Sequence, residues 1–228
     1  MLALAAKGLG PLKNEVVFVG GATIELYLGG RPVEAARPTD DVDCVADVVS
    51  RMDYYKLEER LRGLGFRHPL GERVPICRWE YHGLPIDVMP IEGKVLGFSN
   101  RWYREGFERA VPARIPGGPE IKIFPLPYLI ASKIEAFLDR GREDFLGSPD
   151  MEDIVTLIDG AADFKGALAR APENVRKYLK EQFRRFLRDP RFLDCLQGHL
   201  PPPATPTAGP DRAERARAVL EGLCGKPA

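Results

Sequence analysis

The sequence predicts an α+β protein in which a mixed β-sheet with flanking helices is followed by a helical C-terminal region. Short apolar runs alternate with helical spacing over the first 125 residues, and two of these runs have the pattern of a hairpin. Helical spacing dominates from residue 126 onward. We therefore expect an α/β core at 1–125, a helical cap at 126–198, and a Pro-rich linker with a short tail helix at 199–228.

The core begins with a leading helix within residues 1–14, and a short buried strand follows at Val16–Val19. Gly20 and Gly21 come next, and Ala22–Leu28 has the pattern of a starting helix. Two glycines at such a turn let the backbone approach a ligand closely, and the N–H groups of a helix start favour a phosphate. This segment predicts a phosphate-binding turn, with a purely structural turn as the alternative.

Acidic residues follow on two predicted strands. Asp41 and Asp43 lie two positions apart in the predicted strand Asp40–Ala46, so their side chains point to one face. Asp87 lies in the predicted strand Leu84–Ile91, where burial is costly unless a cation or donors meet it. Three carboxylates on neighbouring strands predict a site for Mg²⁺, or for Mn²⁺ in its place. The alternative is that these carboxylates face water.

The remaining elements follow from the same periodicities and turn signals. They comprise a helix over Tyr54–Leu64, strands over Val74–Trp79 and Leu84–Ile91 joined around His82-Gly83, extended pieces at Val111–Ile115 and Ile121–Phe124, helices over Pro127–Arg140, Pro149–Ile158, Phe164–Arg170 and Pro172–Leu187, and a tail helix over Ala213–Leu223. Proline-rich Pro201–Pro206 predicts an extended linker.

Lys133 lies within the apolar stripe of the helix predicted at Pro127–Arg140, and Arg140 lies beside it on the helical wheel. A cation there needs an anionic partner, unless its stem reaches out to water. We expect Lys133 to contact a triphosphate or the carboxylates. Asp153 flanks the apolar row of the next helix and could pair with either cation, whereas Asp150 is explained by helix capping.

Bulk composition excludes several classes of protein. Lys plus Arg and Asp plus Glu both number 33, so the whole chain is not a polycation that would announce a nucleic-acid partner. The four cysteines lack metal-ligand spacing, and no run is long enough to span a membrane. We expect a reduced cytoplasmic protein. The segment 165–191 is rich in Lys and Arg, which indicates either a surface for RNA or an acidic partner, or a solvated helix face.

Two segments of the chain resemble a known family. Val19-Gly20-Gly21 with Arg37-Pro38-Thr39-Asp40-Asp41-Val42-Asp43 is similar to the Gly-Gly … Arg-x-[Ser/Thr]-x-Asp-x-Asp signature of polymerase-β-type nucleotidyltransferases. The branch it resembles most contains the AbiEii-type toxins of bacterial toxin–antitoxin systems. Ser132–Ala136 through Arg140, followed by Asp150–Ile154, resembles the Lys … Arg … Asp-x-x-Asp segment of that branch.

The resemblance implies a nucleotidyltransferase-type sheet, with the cap completing the active site. It also implies transfer of a nucleoside monophosphate from an NTP to a hydroxyl of RNA (tRNA included), protein or a small molecule, with Mg²⁺ as cofactor and an antitoxin as a possible partner. A catalytically silent binding protein and an antibiotic-modifying enzyme are the alternatives. The implied residues are Gly20, Gly21, Thr39, Lys133 and Arg140 for the nucleotide, Asp41, Asp43 and Asp87 for the metal, Asp87 for activating the hydroxyl, and Asp153 as a further active-site acid.

Overall fold

The computed structural model describes residues 1–29, 37–71, 74–98, 100–140, 144–200 and 210–225. The chain forms two compact units. Unit 1 comprises Met1–Leu26 and Pro38–Leu129, and unit 2 comprises Tyr27–Arg37 and Ile130–Ala228. The three functional segments expected from the sequence stay a prediction.

Unit 1 is built around a mixed sheet with the strand order β3-β4-β2-β1-β6-β5 among the described residues. Its strands are β1 (Val16–Val19), β2 (Val42–Ala46), β3 (Arg78–Tyr81), β4 (Leu84–Pro90), β5 (Val111–Arg114) and β6 (Glu120–Ile123). The pairs β1–β6 and β2–β4 are parallel, and the other three pairs are antiparallel. This mixed sheet, with helices around it and helices in the C-terminal region, confirms the predicted fold class.

Four helices accompany the described part of the sheet: α1 (Leu2–Leu9), α2 (Arg51–Gly63), α3 (Gly93–Leu96) and α4 (Tyr103–Glu108). Helix α2 begins after Ser50, whose hydroxyl accepts the N–H of Asp53 and so satisfies a helix-start donor. Its buried face consists of Tyr54, Leu57 and Leu61, at helical spacing. The Tyr54 hydroxyl also donates to the Val88 carbonyl, 3.2 Å away, which ties α2 to β4.

Unit 2 is helical in its described residues. The unit boundary falls inside α5 (Leu126–Arg140), which is followed by α6 (Pro149–Gly160), α7 (Phe164–Arg170), α8 (Glu173–Leu187), α9 (Pro190–His199) and α10 (Arg212–Cys224). Helix α10 packs against α6, α8 and α9. In the core, the rings of Phe137, Phe145, Phe186 and Phe192 contact one another. No helix among the described residues is long and apolar enough to cross a membrane.

The structure confirms one predicted helix near the N-terminus and corrects another. The short leading helix lies within residues 1–14 as predicted, since α1 ends at Leu9 and a 3-10 turn at Gly10–Asn14 follows it. The predicted α-helix after Gly21 is a 3-10 helix, Gly21–Tyr27. The N–H and the hydroxyl of Thr23 both donate to the Gly20 carbonyl, and this closes a three-residue turn instead of a four-residue one.

One predicted strand needed correction, and three helices were not predicted. Strand β3 begins at Arg78 instead of Val74, since a turn precedes it in which the Arg78 N–H donates to the Pro75 carbonyl. The sequence pattern did not predict helices α3 and α4. They are about one turn and about one and a half turns long, which is too short for a helical periodicity to be visible. Helix α9 was also missed, although Asp189-Pro190 is a helix-start signal. The predicted linker Pro201–Pro206 lies outside the described residues.

We expect Phe186→Ala to lower the free energy of unfolding by about 3–5 kcal/mol, because Phe186 is 1% exposed and its ring contacts three others. Phe98→Ala is the matched control, since Phe98 is 41% exposed. Chemical denaturation of both variants measures the difference. Equal losses would show that the phenylalanine cluster does not stabilise the fold as described.

Candidate active site

A row of four registered residues crosses the sheet of unit 1. Asp43 in β2 lies opposite Val19 in β1 and opposite Asp87 in β4, and Asp87 lies opposite Arg78 in β3. Neighbouring strands lie about 4.7–4.9 Å apart, and registered residues share a face. The carboxylates of Asp43 and Asp87 are therefore neighbours, and a guanidinium lies at the end of the row.

Arg78 binds two of the three predicted carboxylates. Its Nε donates to Asp87 Oδ1 at 2.8 Å, and its Nη2 donates to Asp87 Oδ2 at 2.8 Å and to Asp41 Oδ2 at 2.7 Å. Two parallel N–H···O bonds from one guanidinium to one carboxylate are the strongest form of this ion pair. The hydrogen bonds to Asp87 are also the main reason that the pKa of Arg78 is raised well above its usual range.

Asp41 lies near these residues, but strand alternation with Asp43, which the sequence predicted, is not what places it there. It lies just before β2, because pairing with β4 begins at Val42, so strand alternation does not align it with Asp43. Two contacts hold its carboxylate instead. Arg78 donates to Oδ2, and the hydroxyl of Thr39 donates to Oδ1 at 3.2 Å. Thr39, predicted to contact the nucleotide, thus positions Asp41 in this structure.

Gly20 is the residue that lets Asp43 occupy its place. The φ of Gly20 is +76°, a conformation that L side chains rarely adopt, and a Cβ built on it would lie 1.9 Å from Asp43 Oδ2. The carboxylate therefore packs directly onto the glycine backbone. Gly21 begins the 3-10 helix next to it. The phosphate-binding role predicted for both glycines stays a prediction.

The negative charge of the row affects the pKa values of two neighbouring cysteines. Cys44 follows Asp43 and Cys77 precedes Arg78, and both are buried free thiols. Burial raises the pKa of both thiols, and the nearby Asp43 and Asp87 carboxylates raise them further. The pKa of Cys77 reaches about 12, so its thiol is protonated at neutral pH.

The three carboxylates supply the oxygen atoms that Mg²⁺ prefers, but as arranged here they do not form a metal centre. Within the described ranges, no group of three or more His, Cys, Asp or Glu side chains is placed to hold a metal ion. Arg78 shares these oxygens, because both oxygens of Asp87 and one oxygen of Asp41 accept its N–H groups.

Unit 2 contains a second group of charged residues. Lys133 in α5 is 6% exposed, and its Nζ lies 2.5 Å from Asp153 Oδ2 and 3.4 Å from Asp150 Oδ1, both in α6. The prediction that Lys133 needs an anionic partner is met by these two acids. Asp150 follows the capping Ser148 as expected, but its carboxylate has this additional role.

Two arginines complete the charged group of unit 2. Arg140 Nε and Nη2 donate to Asp150 Oδ2 at 3.2 and 3.1 Å, so Arg140 pairs with Asp150 and its side chain stays 73% exposed. Arg37 lies 3.9 Å from both Glu152 and Asp153. The acids of α6 are thus held by cations from two separate parts of the chain.

The sequence did not single out Arg78, and it noted Asp150 only for helix capping and as part of the Asp-x-x-Asp segment. A signal for Arg78 exists. With a two-residue turn at His82-Gly83, Tyr81 pairs with Leu84, and counting back along both strands places Arg78 opposite Asp87. For Asp150, helix capping was a sufficient explanation, and it concealed the pairing with Lys133.

Gly20→Ala should destabilise the protein by at least about 1 kcal/mol more than Gly83→Ala does. Both glycines have a similar positive φ, +76° and +79°, so alanine is comparably strained at both. Only at Gly20 does the new Cβ meet Asp43, whereas no described atom lies within 4 Å at Gly83. Chemical denaturation measures both losses. If they are equal, the Asp43 carboxylate moves away without cost.

Lys133→Met should lower the free energy of unfolding by about 3–5 kcal/mol, because it leaves buried Asp153 without its nearest cation. Arg217→Met is the control. Arg217 forms an exposed pair with Glu221 four residues on, and such pairs contribute about 0.3–0.5 kcal/mol. Urea denaturation of both variants decides the point. A small loss in Lys133→Met would mean that water or the nearby arginines, Arg37 and Arg140, stabilise the acids of α6 without Lys133.

One family profile matches nearly the whole chain. The sequence profile of a family described as nucleotidyl transferase AbiEii toxin, Type IV TA system, matches residues 2–219. No curated protein matches the sequence.

Two solved structures are distantly similar. The antibiotic-resistance factor ANT(2'')-Ia has a TM-score of 0.47 at 15% identity, over 78% of this chain and 89% of that chain. JHP933 from Helicobacter pylori has a TM-score of 0.48 at 13% identity, over 97% of this chain and 89% of that chain. Both are too distant to bear on function. The family profile, in contrast, covers the registered acids of unit 1 and the charged group of unit 2, and the chain belongs to the AbiEii nucleotidyltransferase toxin family.

Proposed function

We propose that this nucleotidyltransferase moves a nucleoside monophosphate from an NTP to a hydroxyl group of an acceptor. The acceptor oxygen forms a bond to the α-phosphorus, the bond between that phosphorus and the oxygen bridging to the β-phosphorus breaks, and pyrophosphate leaves. The hydroxyl loses its proton. The observation that supports this reaction most strongly is the registered pair Asp43–Asp87 beside the turn at Gly20.

We assign Asp87 to the acceptor hydroxyl. Its side chain is 12% exposed, and a carboxylate in such a site can orient a hydroxyl and accept its proton. Both of its oxygens accept N–H groups of Arg78 in this structure. Each oxygen keeps a second lone pair for the hydroxyl, and movement of Arg78 would free Asp87 further.

The residues proposed to contact the nucleotide are Gly20 and Gly21 in unit 1 and Lys133 and Arg140 in unit 2, each considered within its own unit. Backbone N–H groups at a glycine turn suit phosphate oxygens. Lys133 and Arg140 are proposed to neutralise phosphate charge, and Asp153, which holds the Lys133 ammonium at 2.5 Å, is proposed to position it. Thr39 would act on the nucleotide directly or through Asp41, to which it donates.

A divalent cation belongs to the same proposal, Mg²⁺ first and Mn²⁺ as a substitute. Its predicted ligands are Asp41, Asp43 and Asp87, whose oxygens are the donors that these ions prefer. Arg78 forms ion pairs with two of these three carboxylates, those of Asp41 and Asp87, in this structure.

RNA, with tRNA as one form of it, is the acceptor class that we favour. Helix α8 exposes Lys177 and Arg185, and exposed Arg188 follows its last residue. Exposed cations along one segment attract a phosphate backbone. A protein hydroxyl and a small molecule are the alternatives. The family's toxin description supports a cognate antitoxin as partner, and the cytoplasmic location expected from the sequence stays a prediction.

The proposal is tested by incubating the protein with each of four [α-³²P]NTPs, Mg²⁺, and either bulk tRNA or lysate protein. We expect label on one acceptor class, and a loss of about a hundredfold or more in Asp43→Asn. Asp47→Asn is the matched control, because Asp47 follows the same strand and is exposed.

A parallel incubation with [γ-³²P]NTP distinguishes nucleotidyl transfer from phosphoryl transfer. Nucleotidyl transfer leaves the acceptor unlabelled, since the γ-phosphate departs with pyrophosphate. Label from the γ position would show phosphoryl transfer instead. Equal labelling by wild type and Asp43→Asn would contradict the assignment of the site.

A further inference from the structure

Arg78 occupies carboxylate oxygens that a cation would also use. It donates to both oxygens of Asp87 and to one oxygen of Asp41. Asp43 lies opposite Asp87 on the neighbouring strand, so a third carboxylate is close to this pair. Carboxylate oxygens grouped in this way are the ligands that a divalent cation prefers.

We propose that Arg78 is an internal counter-ion that competes with a divalent cation for Asp87 and Asp41. This inference rests on the cation use in the proposed function. With no cation bound, the guanidinium holds both carboxylates. A divalent ion on the same oxygens meets strong repulsion from a guanidinium at hydrogen-bond distance, so the ion binds tightly only after Arg78 leaves Asp87.

Geometry favours Arg78 as an effective competitor. The backbone register of β3 and β4 places it opposite Asp87, so its guanidinium is always near these carboxylates and needs no diffusion to return. Its two bonds to Asp87 and one to Asp41 are all charge-assisted. An ion that binds these oxygens must compete with three such hydrogen bonds, which lowers its affinity.

The structure also provides a route by which Arg78 can leave. Strand β3 is at the edge of the sheet, and the Arg78 and Asp41 side chains are 28% and 32% exposed. Asp87 is the more buried partner, at 12%. Rotation of the long Arg78 side chain toward water uncovers Asp87 while the strand pairing of β3 stays intact.

The test measures Mn²⁺ binding without nucleotide or acceptor, by the EPR signal of free Mn²⁺. We compare wild type with Arg78→Ala, Arg78→Lys and a control, Arg60→Ala, which removes an exposed pair with Glu15. Arg78→Ala should bind Mn²⁺ at least about tenfold more tightly, since hydrogen bonds to a charged group no longer oppose the ion. Arg78→Lys should lie between the two, and Arg60→Ala should match wild type.

Thermal denaturation gives an independent readout. Without metal, Arg78→Ala should melt below wild type, because its carboxylates repel one another without a counter-ion. Saturating Mn²⁺ should raise the melting temperature of Arg78→Ala more than that of wild type. Adding Asp87→Asn to Arg78→Ala should remove the gain in Mn²⁺ affinity. If Arg78→Ala does not fold, Arg78→Lys carries the same comparison.

Mn²⁺ affinity that is unchanged or weaker in both Arg78 variants overturns the inference and leaves the transferase proposal standing. Tighter Mn²⁺ binding by Arg78→Ala, in a protein that labels no acceptor, supports the inference and overturns the transferase proposal. A rise in the KM for NTP with unchanged Mn²⁺ affinity would instead make Arg78 a nucleotide ligand, which contradicts the competition.

Discussion

The arrangement of residues around the Asp43–Asp87 pair in unit 1 depends on the repulsion between these two acids on neighbouring strands. The carboxylates of Asp43 and Asp87 are one strand spacing apart, where two charges repel by about 3 kcal/mol at the effective dielectric constant of a protein surface. Two features accommodate this. The missing side chain of Gly20 leaves room for one carboxylate, and Arg78 neutralises part of the charge of the other.

In the charged group of unit 2, a buried cation rather than a buried acid needs neighbours of opposite charge. There a single buried cation, Lys133, lies between two acids of one helix turn, Asp150 and Asp153. Burying such ions costs more than burying apolar side chains, so the arrangement does not by itself explain stability. The ion pairs instead fix the position of the Lys133 ammonium between the two carboxylates.

The sequence predicted what depends on local pattern and missed what depends on partners. Lys133 stood out because it interrupts an apolar stripe, and its need for an anion followed from burial cost alone. Asp87 stood out for the same reason. Arg78 did not, because an arginine on an edge strand is unremarkable until the hairpin register is counted. The 3-10 turn after Gly20 was not predictable, since it depends on where the Thr23 hydroxyl donates.

The two-residue turn between β3 and β4 has a consequence for the chemistry of the protein. His82 and Gly83 both have positive φ, as in the tight hairpin turns that fix register. One inserted residue there would shift β3 by a single position, exchange its two faces, and carry fully buried Trp79 toward solvent. Asp87 would then face a different neighbour. The length of a surface loop thus sets which residue faces Asp87, and loop length is a trait on which evolution can act.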